Sequence, residues 1–131
     1  MPLQKLDLSA LEASLAALGR LPLEGEVDDV HRDAAIQRFE FTYEVCWRMM
    51  RRHLTWAGVR DTELMGRREL FREAARHGLI TDPLRWIEHH DARNATSHNY
   101  DEANARSVFA RIAAFHQDAT HLLTRLREHH A

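Results

Sequence analysis

Residues 31–57, HRDAAIQRFEFTYEVCWRMMRRHLTWA, decide the fold. Ile36, Phe39, Tyr43, Cys46, Met50 and Leu54 recur at steps of three and four, so a helix of 3.6 residues per turn gathers them into one apolar stripe. Phe41, Val45 and Met49 form a second stripe beside it. So broad an apolar surface predicts burial on two sides, against the rest of the fold and against a second subunit. Glu44 stands four residues before Arg48, the favourable order for an ion pair along a helix, and Gly58 is placed to end the helix near Ala57.

The same period runs through the remaining chain. Leu8, Leu11, Leu15 and Leu18 predict a short amphipathic helix stopped at Gly19, followed by an acidic loop from Glu24 to Asp29. A third helix is expected from about Arg67 to His77, with Leu70, Phe71, Ala74 and Ala75 inward and Gly78 as a left-handed cap. Asp82 then Pro83 reads as a helix start, an N-cap acceptor before a residue pre-set for the first turn. The last helix should run from near Asp101 to about Glu128, with Val108, Phe109, Ile112, Phe115, Ala119, Leu122 and Leu126 on its inner face. The expectation is an all-α domain spanning 1–131: an antiparallel four-helix bundle with a short extra N-terminal helix.

Composition narrows the function classes. A chain of 131 residues suits one domain with a real core. Its single cysteine, Cys46, excludes an intrachain disulfide and falls in the apolar stripe, as a buried thiol rather than a nucleophile. No apolar run reaches membrane-span length and no signal-peptide pattern opens the chain, so the expected location is the cytoplasm. Net charge is −2, yet residues 48–76 hold eight Arg against four acids while residues 1–47 hold four bases against nine acids, which predicts opposed surfaces. Seventeen of the 18 basic residues are Arg, a bias that genomic base composition explains more cheaply than phosphate recognition does.

The chemistry concentrates in Arg93-Asn94-Ala95-Thr96-Ser97-His98-Asn99-Tyr100. Arginine keeps its charge and presents a planar fork of donors that matches phosphate oxygens, histidine exchanges a proton near neutrality, and a phenol follows two residues later. Arg93 and His98 are five apart, about 140° around a continuous helix, and would not share a face. Convergence therefore requires the helix to end between them, for which Asn94, Thr96, Ser97 and Asn99 are suitable, or two copies of the segment to meet across a dimer. The purely structural alternative pairs Arg93 with a carboxylate such as Asp91 or Glu88, lets His98 cap a helix end, and packs Tyr100 as a staple before the N-cap Asp101.

The octet resembles the Arg-x4-His-x-Tyr signature of the HEPN superfamily. With Arg32 to Glu44 upstream, and Gly78-Leu79-Ile80 and Trp86 before the octet, the chain is similar from about His31 to Arg127 to the nucleotidyltransferase substrate-binding protein branch of that superfamily. The resemblance implies a component of a two-gene toxin–antitoxin system, a metal-independent endoribonuclease acting as a symmetric homodimer on RNA. His98 would be the general acid or base and Arg93 the group that holds the scissile phosphate, with Asn94 and Ser97 in support. It also implies a separately encoded minimal nucleotidyltransferase partner that silences the protein by adenylylating Tyr100. The alternative within the branch is a noncatalytic subunit that binds nucleotide or substrate for that enzyme. A third class, a helical scaffold without ligand, has no need for Arg93 and His98 to converge.

Other chemistries lack their residues. None of the ten histidines forms the four-residue helical pair around an acid that zinc favours, and His89 and His90 point to different faces, so no metal is expected. No Gly-Ser turn precedes a paired carboxylate, so the chain is not itself a nucleotidyltransferase of the minimal kind, and no glycine loop that would cradle a nucleotide cofactor is present.

Overall fold

A computed structural model describes residues 4–98 and 101–131, with the backbone alone of His98. These residues form five α-helices, α1 Ser9–Gly19, α2 Asp29–Trp56, α3 Arg67–Arg76, α4 Pro83–Ala95 and α5 Glu102–His129, with 3-10 turns at Thr62–Leu64 and Thr96–His98. The all-α class expected from periodicity is what they form, and no strand occurs among the described residues.

The helix ends follow local chemistry. Asp28 accepts from the His31 amide at 2.8 Å to open α2, and Asp82 accepts from the Leu84 and Arg85 amides with Pro83 in the first turn of α4. Gly78 adopts φ +76°, which an L side chain resists. The chain there reverses with the Leu79 amide donating to the Ala74 carbonyl at 2.9 Å.

α2 is the organising element and packs against each of the other four helices. Its first stripe is buried as expected, Ile36, Phe39, Tyr43, Cys46, Met50 and Leu54 all being closed to solvent. Phe39 meets Phe115 of α5 edge to face at 4.9 Å, and Trp86, which had no core role in the periodic pattern, packs on Phe115 at 5.9 Å. The second stripe divides. Met49 turns into the core, Val45 is partly covered, and Phe41 stays 62% exposed. Leu11 and Leu18 of α1 are fully buried in the same core as α2 and α5.

Side-chain pairs fix the helix directions. Ser14 and Ala17 meet Thr42 and Arg38, while Glu12 pairs with Arg127 and the Leu6 amide meets His130, so α1 runs opposite to α2 and to α5. Arg85 reaches Asp118 and Asn104 reaches the Ala95 carbonyl, so α4 also runs opposite to α5. α2 and α5 run the same way. Their first turns are joined by Arg32, which is 8% exposed and bonds Glu102 at 2.7 Å, and their last turns by His53 and His130 at 2.9 Å. No helix among the described residues is long and apolar enough to cross a membrane.

Candidate functional site

The octet begins on the last turn of α4, and that helix stops at Ala95. Three side-chain bonds serve the last carbonyls of the helix: Thr96 Oγ1 donates to the Arg93 carbonyl at 2.7 Å beside the Thr96 amide, Ser97 Oγ to that of Asn94 at 3.1 Å, and Asn104 Nδ2 to that of Ala95 at 2.8 Å. The α-helix therefore ends between Arg93 and His98, but the chain continues directly into the 3-10 turn Thr96–His98, so it tightens there and does not turn away. The His98 side chain, Asn99 and Tyr100 lie outside the described residues, and the expectations for His98 and Tyr100 with them.

Arg93 pairs with a carboxylate, as its structural alternative had it in kind, but the partner is Glu44 and not Asp91 or Glu88. Glu88 bonds Arg111 at 2.9 Å on the face toward α5, whereas Arg93 looks toward α2, its Nε 3.4 Å from Glu44 Oε1. That contact lacks hydrogen-bond alignment, so the buried Nε has no bonded partner among the described residues. Glu44 is equally absent from its expected pairing with Arg48. Its other oxygen accepts from Trp47 Nε1, three residues on in the same helix, at 2.9 Å, so a local indole donor and the Arg93 charge brought by α4 replace an exposed helical pair.

Beside Arg93 lies a cluster absent from the sequence reading. The Tyr43 hydroxyl is 2.7 Å from His90 Nδ1, and Asn94 Nδ2 is 3.2 Å from His90 Nε2. Burial pushes Tyr43 well above the ordinary phenol range and holds it protonated, while burial, with Arg67 and Arg93 nearby, lowers His90. A neutral imidazole therefore accepts from Tyr43 at Nδ1 and carries its proton on Nε2. That N–H calls for the Asn94 amide oxygen, the two ends of an amide being interchangeable by a flip. Asn94 is thus oriented through His90 by a tyrosine in the core. The signal was available in principle, since His90 and Asn94 are four apart and must share a helix face.

Next to this cluster a hollow of about 470 Å³ is lined by Arg67, Arg68, Arg72, Ile87, His90 and Asp91. His89, on the other face of α4, is fully buried and bonds Asp118 at 2.7 Å, a structural role that separates the two neighbouring histidines as expected. Cys46 is fully buried and its thiol is pushed up by desolvation, which removes it as a nucleophile. Among the described residues no three His, Cys, Asp or Glu side chains are placed to hold a metal ion.

The octet at a helix end beside an oriented Asn94 sits within a chain whose residues 6–128 match a family model described as nucleotidyltransferase substrate binding protein like. The chain belongs to the nucleotidyltransferase substrate-binding protein family. The HEPN-type resemblance carried by the octet and its flanks holds at this level. This family member is 34% identical to a Haemophilus influenzae protein named probable ribonuclease HepT, over 98% of this chain and 97% of that protein. A solved Haemophilus influenzae structure, described as revealing the fold of a substrate-binding domain of a nucleotidyltransferase, matches with TM-score 0.82 and 34% identity, covering 92% of this chain and 99% of that one. A crystal structure from Thermus thermophilus matches with TM-score 0.76 and 33% identity, covering 89% of this chain and 98% of that one.

Proposed function

We propose that this protein is the HEPN component of a two-gene system with a minimal nucleotidyltransferase, and that it is a metal-independent endoribonuclease silenced by adenylylation of Tyr100. The observation that carries the reading is Arg93 on the last turn of α4, turned toward α2 with its Nε beside Glu44 but not hydrogen-bonded to it, just before the helix tightens into the 3-10 turn Thr96–His98. The relative named a probable ribonuclease supports it. Arg93 contacts a carboxylate through Nε without a hydrogen bond, so the rest of its fork is available to oxygens of a scissile phosphate.

In this reading the ribose 2′-oxygen attacks phosphorus as a base takes its proton. The bond to the 5′-oxygen breaks as an acid supplies one, leaving a 2′,3′-cyclic phosphate and a 5′-hydroxyl. His98 performs the proton transfers, a contribution of about 10² to 10⁴ in rate. A symmetric homodimer with the two octets facing one cleft provides two such imidazoles. Asn94 and Ser97 support the phosphate, Asn94 through the His90 and Tyr43 contacts that orient it. AMP on Tyr100 would block the cleft with bulk and negative charge.

The fold that accompanies this reading is one domain over 1–131, a helical bundle of the HEPN type in which α4 runs opposite to α2 and α5 and the short α1 lies alongside, located in the cytoplasm. The parallel course of α2 and α5 departs from the wholly antiparallel order expected of four successive helices with short connections. Purified protein free of its partner should cleave RNA in the presence of EDTA. His98→Ala should abolish cleavage with unchanged circular dichroism, since it removes transition-state stabilisation and not a core contact. Wild-type dimer, unmodified at Tyr100, that binds RNA or nucleotide without cutting would transfer the assignment to the noncatalytic substrate-binding subunit. That second reading is favoured by the solved relative described as a substrate-binding domain.

A further inference from the structure

Arginine pairing divides the surface of this protein. On α4 and α5 the guanidiniums face carboxylates, as Arg85 faces Asp118, Arg106 faces Glu102, Arg111 faces Glu88 and Arg125 faces Glu128. Among the described residues no carboxylate pairs with Arg48, Arg51, Arg52, Arg67, Arg68 or Arg72. All six lie on the second half of α2 or on α3.

Three of them crowd a single indole. The guanidinium carbon of Arg67 is 3.6 Å from the centre of the Trp47 ring, that of Arg51 4.7 Å and that of Arg48 5.6 Å. Stacking on the ring offsets part of their mutual repulsion, but it neutralises no charge. Nε of Arg51 and of Arg67 are buried without a partner among the described residues. Such a cluster is costly in the free protein and becomes favourable against a polyanion. Its position indicates which one. Glu44 accepts from Trp47 Nε1 with one oxygen and meets Arg93 Nε with the other, so the cluster adjoins the start of the octet.

We propose that Arg48, Arg51 and Arg67, held on Trp47, form a phosphate track that carries the RNA backbone on one side of the position held by Arg93. The inference rests on the ribonuclease reading and deepens it, assigning substrate-binding residues outside the octet. Trp47 is a positioning residue: its ring is covered by Arg67 and so fixes the forks rather than stacking a base. Contacts of guanidinium with phosphate carry no base information, so the track adds affinity without sequence preference. Charges spread over two helices suit successive phosphates of one strand better than a single anion.

The test is binding of a fluorescent 2′-O-methyl oligoribonucleotide, which lacks the attacking hydroxyl, to the full-length protein across a salt series. The Arg48→Gln/Arg51→Gln/Arg67→Gln variant should bind about tenfold to a hundredfold more weakly, and its plot of log affinity against log salt should be shallower by about 2, at roughly 0.7 per phosphate on a single strand. A control with equal charge removed elsewhere, Arg76→Gln/Arg106→Gln/Arg125→Gln, should change that slope little. If the first triple variant loses its circular dichroism, Arg48→Gln alone is measured, with a slope change of about 0.7 expected. Slope and affinity equal to the control, in a protein whose wild type binds, overturn the track and leave the ribonuclease reading standing. A wild type that binds no oligonucleotide overturns both, and is recognised because the variants then have nothing to lose.

Discussion

His53 and His130 set each other's protonation. The Leu6 amide donates to His130 Nδ1 at 3.2 Å, so the neutral ring carries its proton on Nε2 and donates it to His53 Nδ1 at 2.9 Å. Burial, reinforced by His129 and His130, pushes His53 down to about 4 from 6.5, and His130 is lowered for the same leading reason. The unfolded chain therefore takes up a proton near pH 6.5 that the folded one refuses until about pH 4. Stability from this group should be level above pH 6.5 and fall as pH drops from 6.5 to 4, by up to roughly 3 kcal/mol. Urea midpoints at pH 7.5 and 4.5 measure it, and equal midpoints would contradict the buried neutral pair. Nothing in the sequence joined these rings, which are 77 positions apart. Arg93 illustrates the same barrier, since a carboxylate partner was foreseeable but the one it takes, Glu44, comes from another helix and not from the neighbouring Asp91 or Glu88. Residue types and their chemistry are readable from sequence, whereas the choice among equally charged partners is made by packing.

Helices were legible because their signals are local. Asp82 accepts two amides in the first turn of α4 and Gly78 reverses the chain before it, both as their residue types foretold. Asp82→Ala should cost about 1 kcal/mol of stability, read as a lower thermal midpoint, while Asp82→Asn should cost much less because its amide oxygen still accepts. Equal losses in both variants would mean that charge, and not the cap, is what α4 requires. The end of α4 was legible from the turn-favouring types Asn94, Thr96 and Ser97, and Thr96 and Ser97 bond its last carbonyls where the chain tightens into a 3-10 turn. What periodicity could not divide was the second stripe of α2. Met49 and Phe41 lie about two helical turns apart in that stripe, yet one is covered by its neighbours and the other left open, a matter of where a neighbour lies and not of hydropathy.

At the scale of the molecule, Phe41 stands between two shallow hollows that share Ala10 of α1, and Glu44, which holds Arg93, borders one of them. A two-fold axis through this face would seat each Phe41 against the small residues of the other copy and bring the two Arg93 side chains toward one cleft. Phe41→Glu should convert a dimer to a monomer in light scattering at micromolar concentration, and RNA cleavage should fall with it. A variant that remains dimeric would place the subunit contact elsewhere. The parallel course of α2 and α5 has its own consequence. Two helices of 28 residues, each roughly 42 Å long, sum their peptide dipoles instead of cancelling them. The end bearing Asp28, Asp29, Asp101 and Glu102 complements the two positive helix poles, while at the other end Arg127 complements the negative pole of α5 and the buried neutral His53 adds no charge to that of α2. A protein of net charge −2 is in this respect an electrical rod whose poles are dressed with opposite ions, and a charged partner approaching along its axis meets a different sign at each end.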